Sequence, residues 1–270
     1  MKGIINGLWI GNKLSFMSQS CIQSWLDLGY EFRLWVYEPV VNIPEGVSLY
    51  MGDEIMNKEE VYNIAENNHI LNSADQFRLM LMYKRGGWYV DLDCFGLSLL
   101  TDLESNEIVI STERTMKSGA YKSKLDYRVS NQMLYSKNTN EKLWLDLYNL
   151  MNNKIKLNEK LGQGHKMGKL EGMKIICKVD NWIKKGKYTN IKLLCPSEVC
   201  NLDWWNTNEY FNNKPIKKKW GVEPNLPLEQ GYAIHLWHSL ATKKSNINLP
   251  VENSCYDRLT KNHQLIFLDQ

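Results

Sequence analysis

Two aspartates one residue apart, Asp91 and Asp93, stand near the end of the octapeptide WYVDLDCF at residues 88–95. In an extended chain alternate side chains leave the same face, so both carboxylates point one way. Such a pair suits one hard divalent cation and the phosphate oxygens it carries, because these ions take oxygen ligands. A bare DxD is weak evidence, since about one chance match is expected in a chain of this size. The bland alternative is a strand-end turn with solvated acids. Upstream, Asp75 and Arg78 are three apart, which puts an anion and a guanidinium on one helix face. The bland alternative there is a helix ion pair worth at most about 1 kcal/mol. Far downstream, YAIHLWHS (232–239) runs from a short apolar stretch into His235, Trp237, His238 and Ser239. A neutral imidazole at a strand end suits a borderline cation such as Mn2+. Without a third ligand at helical spacing, His-x-x-His does not make a zinc site.

The flanking sequence predicts the elements that must position these groups. GIINGLWIG (3–11) reads as a buried strand with Trp9 near its end. A helix over 13–29 places Phe16, Cys21, Trp25 and Leu28 at helical spacing and stops at Gly29. Strands follow over 30–39 and 47–54, then a polar helix over 58–68. A stronger helix spans 73–87, with Ser73 as its N-cap, Asp75 in the first turn, Lys84 and Arg85 in the last, and a glycine pair as its stop. WYVDLDCF then reads as one central strand, with EIVIST (107–112) as another. This alternation predicts an open α/β sheet with the double aspartate at a carboxyl strand end, the edge where such sheets bind ligands. Beyond it, helices are expected over 141–151 and 166–186 and strands over 191–196 and 232–237. A long aromatic loop over 203–231 reads as functional. No repeat or boundary divides the chain, so residues 1–270 read as one domain.

Bulk properties narrow the classes further. With 43% apolar and 23% charged residues in 270, the composition is that of a globular protein with a full core. A net charge of +3 suits anionic substrates without requiring nucleic acid. The basic runs at 184–187, 214–220 and 242–244 read first as solvated faces, and they leave contact with a phosphate backbone open but not favoured. The six cysteines form no CxxC pair, which argues against a zinc ribbon or thioredoxin-type site and for reduced thiols. No stretch approaches a membrane span, and Asn6 and Gly7 break the first apolar run before it could serve as a signal peptide. The expectation is a soluble, cytoplasmic protein.

Three enzyme classes carry an octapeptide of this kind, and the surrounding residues separate them. Lesion-bypass polymerases need the strand near the N-terminus and a downstream Ser-x-Asp-Glu element, which is missing here, and Gly96 replaces their second bulky residue. Haloacid-dehalogenase-type phosphatases need a different run after the acids than Cys94-Phe95-Gly96. By contrast, SADQFRLMLMYKRGGWYVDLDCF resembles the pattern A-S-D-x-x-R-x-x-x-L-x-x-x-G-G-x-Y-x-D-x-D of the DXD-containing glycosyltransferase sugar-binding family, with Ala74 in place of its serine. That family includes initiating outer-chain mannosyltransferases, bacterial surface-glycan transferases and large glucosylating toxins. LWIG (8–11), SWLDLGYEFRLWVYE (24–38) and AIHLWHS (233–239) are similar to further family stretches.

The resemblance implies a GT-A-type α/β/α nucleotide-sugar-binding fold with a mixed central sheet and an irregular C-terminal half. Residues 1–100 would form the donor half with the DXD, and 101–270 the acceptor side and closing segment. It implies Mn2+ or Mg2+ held by Asp91, Asp93 and His235, with Asp93 a direct ligand and Asp91 reaching the ribose or a metal-bound water. Asp75 and Arg78 would face the donor sugar and, with the two DXD acids, carry catalysis. Trp9 would stack on the base, where a buried core tryptophan is the alternative. Tyr89 would back the pocket, where a core tyrosine is the alternative. Trp237 and Ser239, with Lys243 and Lys244, would face the diphosphate. The implied reaction moves a hexose from a nucleotide sugar, UDP-linked by preference, to a glycan, lipid-linked or other acceptor with retention, which obliges no dedicated base. Two alternatives remain: a magnesium-dependent nucleotidyl or phosphoryl transferase, and a non-catalytic sugar- or nucleic-acid-binding protein on the same fold.

Overall fold

Residues 3–67, 69–117, 124–160, 171–245 and 249–261 are described by a computed structural model. The first half alternates strands and helices: β1 (Ile4–Trp9), α1 (Phe16–Asp27), β2 (Glu31–Val36), β3 (Ser48–Met51), α2 (Lys58–Asn67), α3 (Ile70–Arg85) and β4 (Gly87–Val90). There follow β5 (Cys94–Gly96), β6 (Ile108–Lys117), β7 (Lys124–Ser136), α4 (Lys142–Lys160), α5 (Glu171–Ile176), α6 (Lys178–Lys184) and β8 (Ile191–Leu193). The chain closes with α7 (Pro196–Val199), α8 (Thr207–Phe211), β9 (Ala233–His235), α9 (His238–Ser245) and α10 (Cys255–Lys261).

Seven strands form one sheet in the order β3-β2-β1-β4-β7-β6-β8. The first four are parallel, β7 runs antiparallel to both β4 and β6, and β8 is parallel to β6. Alternate strand residues divide between two cores, as a sheet covered on both faces requires. Leu8, Trp35, Tyr89, Ile110 and Leu134 join α3 and α4 residues such as Phe77, Leu81, Trp144 and Leu147. Ile5, Leu34, Trp88, Val109 and Met133 pack with Ile22 and Trp25 of α1. The expected α/β/α architecture with a mixed central sheet is borne out. Asn6 interrupts the apolar run of β1 because its amide ties three strands, donating to the Trp88 carbonyl at 2.9 Å and accepting from the Trp35 indole at 2.9 Å. No described helix is long and apolar enough to cross a membrane.

Several boundaries differ from expectation. WYVDLDCF is not one strand. β4 ends at Val90, the Cys94 N–H turns back to the Asp91 carbonyl at 2.9 Å, and β5 then pairs with β9 in a separate two-stranded sheet. The run stays apolar across the break because Phe95 buries itself in a third core with Ile234, Leu236, Tyr210 and Phe211. α3 starts at Ile70 and not Ser73: extended His69 caps it by accepting the Leu71 N–H, while the Ser73 hydroxyl donates to the Ile70 carbonyl. The helix does stop at the glycines. Gly86 has φ 62°, and a Cβ there would lie 2.9 Å from the Ser136 carbonyl oxygen, so no larger residue fits the turn into β4.

The strand expected over 47–54 ends at Met51 in a 3-10 turn, Gly52–Glu54. Of the long helix expected over 166–186, residues 166–170 lie outside the described ones, and the rest is α5 and α6 broken at Cys177. β7 was not expected. The 203–231 segment contains a 3-10 turn, α8 and a small hairpin at Lys219–Val222.

Candidate active site

α3 lays Asp75 and Arg78 against the carboxyl end of β4, and both are buried. Arg78 grips Asp91 with both arms, Nη1 donating to Oδ2 at 3.1 Å and Nη2 lying 3.0 Å from Oδ1. Nη1 also donates to the Asn131 carbonyl at 2.7 Å, and Nη2 sits 3.4 Å from Asp75. The Asn131 amide donates to Asp75 at 2.7 Å, and the Tyr89 hydroxyl donates to Asp91 at 3.2 Å beneath the guanidinium. With Arg78 only 5% exposed, this is a buried network and not the surface pair that spacing alone allowed. Burial pushes the Asp91 carboxyl up to about 6, against the pull of Arg78 and with the help of neighbouring Asp93. Burial likewise raises Asp75, opposed by Arg78 and Asn131.

Asp93 belongs to a different network, because the chain turns between the two acids and the two-residue strand period no longer relates them. The β5–β9 pairing sets Cys94 opposite His235 and brings the imidazole Nε2 within 3.3 Å of Asp93 Oδ1. The other carboxylate oxygen accepts the His238 backbone N–H at 2.8 Å. Burial would raise Asp93, but His235 and the His238 N–H outweigh it and hold the carboxyl down at about 2. Burial would lower the His235 imidazole, but Asp93 beside it raises it well above the usual histidine range. Trp237 stacks on His235 with ring centroids 4.2 Å apart, and its indole donates to the Leu202 carbonyl at 2.7 Å.

Ligand atoms of Asp93, Cys94 and His235 lie within 4.8 Å of one another, the group among the described residues able to hold a metal ion. Sequence reasoning missed Cys94, Asn131 and the His238 N–H. A cysteine directly after the second acid was a visible signal, while Asn131 sits on the unexpected β7. The Cys94 thiol is buried, raised by that burial, and donates to the Gln132 carbonyl. Trp9 sits half-buried at the same sheet edge, and its indole N–H has no partner among the described residues. Ser239 is exposed in the first turn of α9. Lys243 and Lys244 lie on α9, but their side chains fall outside the described ones. A shallow cleft lined by Asn106, Glu107 and Thr189–Lys192 opens at the opposite, amino edge of β6, remote from these groups.

α5 presses its backbone against the Asp75 carboxylate. A Cβ on Gly172 would fall 1.7 Å from Asp75 Oδ2, so Gly172→Ala must displace that side chain. Shifting a positioned group by about 1 Å can cost about 100-fold in rate, so, if Asp75 faces a donor sugar as the sequence resemblance implies, Gly172→Ala is expected to slow turnover by about 10- to 100-fold. Steady-state rates at saturating donor check this; an unchanged rate removes Asp75 from the chemistry.

Residues 16–115 match the family model described as "Glycosyltransferase sugar-binding region containing DXD motif". No curated protein matches the chain in sequence. Among solved structures, the chain is similar to the galactosyltransferase LgtC in complex with donor and acceptor sugar analogues, at 10% identity and a TM-score of 0.49 over 97% of each chain. It is also similar to the glycosyltransferase GlyE of Streptococcus pneumoniae TIGR4, at 13% identity and a TM-score of 0.46 over 98% of this chain and 61% of that one. A third is the PaToxG glycosyltransferase, at 12% identity and a TM-score of 0.43 over 68% of this chain and 70% of that one. Residues 16–115, which include Asp75, Arg78, Asp91 and Asp93, thus match the DXD-containing glycosyltransferase sugar-binding region, and this match supports a glycosyltransferase activity.

Proposed function

We propose that the chain transfers a hexose from a nucleoside-diphosphate sugar, UDP-linked by preference, to a glycan, lipid-linked or other acceptor, in a metal-dependent reaction that retains anomeric configuration. The observation that carries this reading is the convergence of two buried networks on one sheet edge, Arg78 on Asp91 and His235 on Asp93. The donor set fits a hard or borderline ion: Asp93 stays ionised, the neighbouring thiol is held neutral by burial, and His235, which holds a proton against Asp93, would supply nitrogen by giving that proton up as the ion binds. Mn2+ or Mg2+ would be held by Asp93 and His235 with Asp91 beside them. When bound, the ion offsets the charge that grows on the departing nucleoside diphosphate.

The chain's own residues do the rest. Asp75 faces the donor sugar, and Arg78 acts from behind it, holding both Asp75 and Asp91 in place with a fork whose N–H groups are engaged by the protein. Trp9 takes the base with an indole whose N–H is free to donate, Tyr89 backs the pocket, and Trp237 and Ser239 close over the diphosphate. No side chain is assigned as a base, because a retaining transfer does not oblige one. Residues 1–270 act as one cytoplasmic domain in this reading, with 1–100 as the donor half and 101–270 as the acceptor side.

A panel of UDP-, GDP- and CMP-sugars, assayed for free-nucleotide release with Mn2+, tests the proposal. A UDP-sugar is expected to release nucleotide, chelator to stop the release, and added Mn2+ to restore it. Release that persists in excess chelator would remove the metal, and no release from any donor would remove the transferase chemistry.

A further inference from the structure

Three tryptophans gather beyond the closing segment. The ring centroids of Trp204, Trp205 and Trp220 lie 5.3 to 5.9 Å apart. Trp205 is buried, with the Arg114 guanidinium 5.8 Å from its ring. Arg114 is itself fixed, donating to the Glu223 carbonyl at 2.8 Å and lying 3.4 Å from buried Asp203. Trp220 is different, with 56% of its surface exposed. It occupies the tip of a two-residue hairpin closed by reciprocal Lys219–Val222 backbone bonds of 3.1 and 2.8 Å. Both central residues have positive φ, 50° at Trp220 and 81° at Gly221. That geometry favours Asn, Asp or Gly at the first position, and a bulky aromatic there costs on the order of 1–3 kcal/mol. The turn thus holds an indole that rests on Trp204 and Trp205 and leaves more than half of its surface exposed.

The platform adjoins the reaction site. The Leu202 carbonyl holds the Trp237 indole, which stacks on His235. Trp204 follows two residues later, a reach of at most about 7 Å along the chain. The amide oxygen of buried Asn206, which ends the same turn, has no hydrogen-bond partner among the described residues. The two lysines next to Trp220 carry their own counter-charges: Lys219 pairs with Glu209 at 2.7 Å and Lys218 with Glu223 at 2.8 Å. A polyanion would find little net attraction here, whereas a neutral ring with one C–H face and several hydroxyls meets an aromatic plane bordered by polar groups.

Resting on the transferase reading, we infer that Trp220, backed by Trp204 and Trp205, is the stacking platform for a neutral saccharide acceptor. Saturation-transfer NMR on the full chain tests this with lactose, maltose, cellobiose and N,N′-diacetylchitobiose, and with an oligothymidylate alongside. At least one disaccharide is expected to receive saturation on the C–H protons of one ring face. Trp220→Ala is expected to weaken its apparent affinity about tenfold, equivalent to about 1.4 kcal/mol, and Trp220→Phe to retain most of it. No saturation from any of the four, equal affinity in Trp220→Ala, or saturation of the oligothymidylate alone overturns the inference. Failure of every donor to release nucleotide, with disaccharide saturation intact, instead removes the transferase reading and leaves the platform standing.

Discussion

Replacing Asp93 with Asn is expected to lower donor turnover by at least about 100- to 1,000-fold, the scale on which removing one preorganised electrostatic contact slows an enzyme. Asn keeps the shape of the side chain but neither its charge nor its second strong acceptor. Both matter here, because one carboxylate oxygen faces the His235 imidazole at 3.3 Å and the other accepts the His238 N–H at 2.8 Å. Strand-end position alone would suggest a solvated acid whose loss leaves the fold untouched. The structure gives Asp93 a packing role as well, since these two contacts fasten the closing segment to the sheet edge. Asp93→Asn is therefore also expected to cost about 1–3 kcal/mol of stability, the scale for unpairing one buried polar group. Melting temperature and nucleotide release, measured on one preparation with and without Mn2+, separate the two effects. Full turnover in a chelated Asp93→Asn sample would sink the metal assignment; a stability loss with unchanged turnover would leave Asp93 as a fastening alone.

What the sequence disclosed and what it hid divide along physical lines. The α3-to-β4 passage was legible because each feature has a local cause. Helical spacing put Asp75 and Arg78 on one face, and a glycine pair was needed for the turn that a Cβ would block at Gly86. His235 could be placed near Asp93 because AIHLWHS resembles the family's closing element and an ion held by the aspartates leaves positions that an imidazole suits. The break after Val90 was not legible. Residues on both sides of it are buried, and an apolar run reads the same whether its strand stays in one sheet or leaves for another. β7 escaped for the opposite reason. Its middle, Ser130, Asn131 and Gln132, is polar yet buried, because it lies beside the acids and supplies Asp75 and Arg78 with partners. Polar strand residues at a site look like a loop until the partners are known. The N-cap was misjudged locally, since Ser73 had the better cap chemistry but Ile70 and Leu71 extend the helix back to His69.

Arg78→Lys tests the other half of the site, and it is expected to be nearly as severe despite keeping the charge. The guanidinium spans four groups at once: both oxygens of Asp91 at 3.1 and 3.0 Å, the Asn131 carbonyl at 2.7 Å, Asp75 at 3.4 Å and the Tyr89 ring at 5.1 Å. An ammonium is a point donor and cannot copy a planar fork, so at least one of these buried acceptors loses its partner. The expected loss of stability is about 1–3 kcal/mol, more than an exposed helix pair would give. Each kcal/mol corresponds to about 2–4 °C in Tm at roughly this chain length. Turnover should fall about 100-fold, because Asp91 and Asp75 lose the group that positions them and shift together. A double-mutant cycle with Asp91→Asn isolates the pair, and residues sharing one network are expected to couple by about 0.5–3 kcal/mol. If stability drops by the expected amount while turnover holds, Arg78 is a structural tie between α3 and β4. If both drop, and Asp91→Asn adds little to the rate loss, Arg78 and Asp91 act as one unit on the donor.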